Sequence, residues 1–119
     1  MKIDFAKQLK YVGGVPMVYA PDPTNKKVVE PLTLRIVCIN SLGGVYEQER
    51  GISEVEKIRR RKLAEQIFGA KELDLKSEDI ALLKKLVHYN YQDPFVYTEA
   101  IELLENSAGE EIKNETTNN

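Results

Sequence analysis

The chain has 119 residues, 42% hydrophobic and 30% charged, which is the size and composition of one globular domain. Its net charge of −2 does not mark a nucleic-acid binder, and its single cysteine excludes an intrachain disulfide and fits a reducing cytosol. No apolar run approaches the roughly 18 residues of a membrane span, and the charged opening MKIDFAKQLKY is not a secretory signal.

Residues 1–31 read as short strands and turns. Ile3, Phe5 and Leu9 mark one half-buried strand. Gly13-Gly14 is a turn, and residues 16–20 are β-prone. The loop Pro21-Asp22-Pro23-Thr24-Asn25 leads to a returning strand at residues 27–30, which gives a hairpin. Two strands alone are marginal, so the hairpin must lean on helices.

Residues 31–42, PLTLRIVCINSL, carry both strand and helix signals. Their β-branched content suits a strand. Thr33 as a cap, Gly43-Gly44 as a left-handed stop, and a face of Leu34, Val37 and Cys38 favour a helix. Residues 45–51 are a polar connection.

Ser53 and Glu56 have capping-box spacing, with Ile52 placed to staple the first turn. Val55, Ile58, Leu63, Ile67 and Phe68 supply the apolar face of this helix, and Gly69 stops it. Residues 70–76 read as a connector with Leu73 and Leu75 turned inward. The next helix, residues 77–91, has Ser77 as its expected cap and Glu78 and Asp79 at the positive end of its dipole. Its wide stripe of Ile80, Leu82, Leu83, Leu86 and Val87 needs cover on more than one side, which the helical patterns at residues 53–68 and 94–107 could supply. Asp93-Pro94 opens a last helix lined by Val96, Tyr97, Ala100, Ile101 and Leu104. Gly109 ends it. Beyond, only Ile112 is apolar, so residues 109–119 are expected to form a disordered tail to a domain at residues 1–108.

The fold expected is α+β, a short N-terminal β-hairpin packed on three or four helices. The expected core is Leu83, Leu86, Val87, Ile101, Leu104, Ile58 and Ile67.

Two clusters could carry function. Lys57, Arg59, Arg60, Arg61 and Lys62 could contact phosphates from one helix, although Glu54, Glu56 and Glu65 stand at pairing distance along it. Tyr89, Tyr91, Phe95 and Tyr97 crowd a helix junction, either as a partner surface or as a lock on the turn, with packing favoured. The sole histidine, His88, has no second ligand at zinc spacing, and Cys38 sits among apolar residues as a small hydrophobe. Neither glycine pair has P-loop or dinucleotide spacing, so no cofactor is expected, and Asp74, Glu78 and Asp79 lack calcium-loop spacing. These residues point away from an enzyme.

The segments GISEVEKIRRRKLAEQI, LDLKSEDIALLKKLV and YQDPFVYTEAIELLE resemble small proteins of tailed phages and prophages. There a β-prone opening precedes a PLTL-type segment, an S-x-x-EK-x-x-R-x-x-LA helix, an "L-x-x-ED-IALIKK-V" helix and a last helix ending LLE. Residues 31–34, 53–67, 75–87 and 96–105 carry the likeness, and the basic run here is denser than in that pattern. The resemblance implies a viral accessory or morphogenesis role and transfers no catalytic residue. It implies a site of action in the bacterial cytoplasm or in the virion. A viral or host protein, or a second copy of the chain, is the expected partner; nucleic acid is the alternative and a membrane is not expected.

Overall fold

Helix caps fix most of the element boundaries. In a computed structural model, which describes residues 2–117 and side chains as far as Glu105, the order is as follows. Strands β1 (Lys2–Asp4), β2 (Val18–Tyr19) and β3 (Glu30–Pro31) precede helix α1 (Leu34–Leu42). A 3-10 turn (Glu47–Glu49), α2 (Glu54–Gly69), β4 (Glu72–Asp74), α3 (Ser77–Asn90) and α4 (Pro94–Thr117) follow. The fold is α+β, with short antiparallel strand pairs and four helices.

The ambiguous segment is a helix. The Thr33 hydroxyl accepts from the Ile36 N–H at 3.4 Å and sets the start of α1. Gly43 ends it with φ −86°, so the stop is not left-handed as expected. Ser53 accepts from the Glu56 N–H at 3.1 Å, and Asp93 accepts from the Phe95 N–H at 2.9 Å. Ser77 is the first residue inside α3 rather than its cap; that place belongs to Lys76, which makes no side-chain capping bond.

The hairpin forms as β2 against β3, with Val18 opposite Pro31 and Tyr19 opposite Glu30. Met17, Leu9 and Leu32 bury its base. The backbone N–H of Lys10 donates to the Glu99 carboxylate of α4 at 2.8 Å. Gly13 and Gly14 have φ of 88° and 83°, which only glycine adopts freely, so they turn the preceding ribbon. The connector after α2 contains a strand that the sequence reading lacks: β4 pairs with β1, Ile3 opposite Leu73.

The helices are arranged around α1. It packs on α2 and on α3, and α3 packs on α4. The expected cover of α3 on more than one side is supplied by α1 and α4, whereas α2 packs on α1 instead. Phe5, Ile3, Leu34, Val37, Ile67, Leu83, Leu86, Val87 and Leu104 are fully buried. Two expected core residues differ. Ile58 is 54% exposed, because the inward face of α2 is Arg60, Leu63 and Ile67. Ile101 is half-buried, and Ala100 takes its place against the core. Val55 and Phe68 also face outward. The backbone of α4 runs past Gly109 to Thr117. The expected tail at residues 109–119 lies outside the described side chains, and its last two residues lie outside the described chain.

Candidate functional site

The basic run of α2 does not present five free charges. Arg60 is turned into the protein with its side chain 5% exposed, and Glu49 faces it from the 3-10 turn at 8%. The guanidinium donates to both Glu49 oxygens, at 2.7 and 2.5 Å, and through Nε to Glu56 at 3.3 Å. Such a fork-on-carboxylate contact is both directional and charge-assisted. Arg60 foremost, against the cost of burial, holds the Glu49 carboxyl below the usual glutamate range. The same bond to Glu49 raises Arg60.

The pairing continues in both directions. Lys85 of α3 lies 3.4 Å from Glu49. Glu56 also accepts from Arg59 at 3.1 Å, and Arg59 donates to Asp79 of α3 at 2.7 Å. Six alternating charges, Lys85, Glu49, Arg60, Glu56, Arg59 and Asp79, thus run from α3 through α2 and back to α3. They bind α2 to a helix other than its main packing partner. Arg35 of α1 adds a third tie: it donates to the Ile67 and Ala70 carbonyls at 3.1 and 2.7 Å and closes the C-terminal end of α2.

The remaining basic residues face solvent. Lys57 pairs with Glu54 at 3.5 Å and Arg61 with Glu65 at 3.0 Å, each within one helix turn. Lys62 is exposed and lines a shallow concavity together with Glu78 and Asp79.

Of the four aromatic candidates, Tyr89 and Tyr97 are linked through His88, whose ring lies 6.4 Å from the first and 4.8 Å from the second, while Phe95 meets a different partner. Tyr89 packs on Tyr46, centroids 5.5 Å apart, and Phe95 meets Tyr11 edge-on at 6.1 Å. Tyr91 is half-buried; burial raises its phenol against a hydrogen bond with Asn40. Cys38 is enclosed, and burial pushes its thiol up, away from the reactive thiolate. His88 is exposed at the surface of α3. Among the described residues no three metal-ligating side chains converge.

One open concavity involves residues 45–51, which the sequence marks only as a plain connection. A cleft of about 780 Å³ opens between the end of α1, residues 43–52 and one flank of α2. Ile39, Leu42, Val45, Ile52 and Ala64 give it an apolar lining, and the Arg60–Glu49 pair forms part of its wall. Arg50, Lys57 and Arg61 stand at its edge. Gly44 shapes one side: a Cβ there would collide with the ring and hydroxyl of Tyr46, whose OH donates to the Ser41 carbonyl at 2.6 Å. The only sequence signal for the cleft is the Gly43-Gly44 pair beside a loop.

No helix among the described residues is long and apolar enough to cross a membrane. Comparison with protein-family models, with curated proteins and with solved structures finds no match for this chain.

Proposed function

We propose that this chain is a non-enzymatic accessory or morphogenesis protein of a phage or prophage. It acts by binding another viral or host protein, or a second copy of itself, in the bacterial cytoplasm or on the virion. The observation that carries the binding role is the apolar cleft flanked by α2, together with Phe68 left exposed on the same helix. An apolar concavity open to solvent suits a protein contact. The viral context rests on the resemblance at residues 53–67, 75–87 and 96–105.

The test is light scattering on a sizing column, joined to a pull-down against gene products encoded beside it. A complex or a stable oligomer is expected. A strict monomer that retains none of those proteins sinks the reading. A second reading, a nucleic-acid-associated regulator, is favoured only by the solvent-facing Lys57, Arg61 and Lys62, since Arg59 and Arg60 are held by carboxylates. Phosphate contacts would make binding fall steeply with salt. Anisotropy with duplex and single-stranded probes, unchanged by replacing those three residues with alanine, removes it.

A further inference from the structure

The charge of the cleft runs opposite to that of the chain. The whole protein carries −2, yet four basic and two acidic side chains line this one concavity. One basic and one acidic member, Arg60 and Glu49, neutralise each other in the wall. Arg50, Lys57 and Arg61 then stand against Glu47 alone around an apolar floor. The pairs that Lys57 and Arg61 already make, with Glu54 and Glu65, are exposed and short-range along the helix, so an incoming carboxylate can replace them.

The α2 flank of the cleft has a helical repeat. Lys57, Arg61, Ala64 and Phe68 follow one another at four-, three- and four-residue intervals, which sets them in one row along α2. The row is about 16 Å long at 1.5 Å per residue, three turns of helix. Phe68, 76% exposed, extends it beyond the cleft proper.

Resting on the interaction role proposed above, we infer that the cleft is a docking groove for an acidic amphipathic helix of a partner protein. Apolar anchors at three- and four-residue spacing would enter between Leu42, Ile52 and Ala64. Acidic residues flanking them would meet Arg50, Lys57 and Arg61. Helix-in-groove recognition has this form, with an apolar seam for affinity and charges beside it for orientation. Nucleic acid fits less well. Its backbone follows a continuous basic track, whereas here the cations flank an apolar floor, and the Tyr46 ring in the wall is already engaged with Tyr89.

The test uses two synthetic peptides of about 15 residues, near the shortest length at which an isolated helix persists. Both carry leucines in a helical stripe; one has glutamates on its flanks and the other lysines. Each is titrated into the isotopically labelled full chain, with amide shifts followed by NMR. The acidic peptide should move resonances at residues 42–52 and 57–68 and bind at least about tenfold tighter than the basic one. Ala64→Trp, which fills the groove, should weaken it. Lys57→Glu with Arg61→Glu should reverse the preference, and Ile58→Lys on another face of α2 should leave it unchanged. Equal binding of both peptides, shifts centred elsewhere, or tighter binding of an oligothymidine at the same residues overturns the inference. If the pull-down retains a viral partner and Ala64→Trp leaves that capture intact, the groove assignment falls while the interaction role stands.

Discussion

Replacing Arg60 with methionine is the sharpest probe of the charge network. The side chain it removes is almost fully buried, and the carboxylate it abandons, Glu49, is nearly as buried. Breaking one member of a buried ion pair costs roughly 3–5 kcal/mol, because the other charge is left uncompensated. Glu49 keeps Lys85 at 3.4 Å, and that lysine is half exposed, so part of the loss is recovered. The expected cost of Arg60→Met is therefore about 2–4 kcal/mol. That is a large share of the roughly 5–15 kcal/mol that holds a domain folded. Glu49→Leu alone strands Arg60 with Glu56 only, and should cost a similar amount. The double variant leaves neither charge buried, so its stability should return to within about 1 kcal/mol of the parent. Urea melts followed by circular dichroism at neutral pH give all four corners of the cycle. Strictly additive losses, or an Arg60→Met loss below about 0.5 kcal/mol, would show that this pair is not the buried clamp described.

Leu83→Ala, at a fully buried position, should lower stability by about 2–5 kcal/mol in the same melts, while Ile58→Ala should change it by less than about 0.5 kcal/mol. Thr33→Ala and Ser53→Ala should each cost about 1 kcal/mol, and Ser77→Ala close to nothing, since its hydroxyl does not cap α3. Stability should also fall with acid through Glu49. Its folded carboxyl is held below its ordinary value of 4.5, so the unfolded chain binds the proton more readily. The contribution is fully present above that ordinary value and is lost as the pH falls through the lower folded one. Melts between about pH 5 and pH 3 should therefore decline more steeply for the parent than for Glu49→Gln; equal slopes would refute the assignment.

Features decided within four residues were legible in the sequence. Thr33, Ser53 and Asp93 cap the helices they precede because a cap needs only its own side chain and the next few N–H groups. The hairpin was legible in outline only: its return strand is Glu30–Pro31 rather than residues 27–30, because its register is set across the long loop at residues 20–29. Features that depend on distant partners were not legible. An arginine at position 60 reads as a surface residue until Glu49, in an irregular stretch, is known to face it. Once Arg60 turns inward, the whole face of α2 rotates, and Val55, Ile58 and Phe68 turn out. β4 has only three residues and no period to detect; its partner is at the other end of the domain. The cleft needs α1, residues 43–52 and α2 placed together, so composition alone could show none of it.

The pairing of β1 with β4 also sets an order of events during synthesis. Ile3 and Phe5 are completely enclosed in the finished protein, but the strand that aligns them does not exist until residues 72–74 have been made. Closing that loop of roughly 70 residues carries an entropic cost that only slowly grows with length, yet it cannot begin early. Residues 5–9 can bond to residues 32–35 once α1 has been made, but Lys2–Asp4 has no strand partner until β4 follows α2. Contacts this distant along the chain slow folding and lengthen the interval in which such segments can associate wrongly. The N-terminal strand is thus closed last, by β4 and then by α4, which also packs on it.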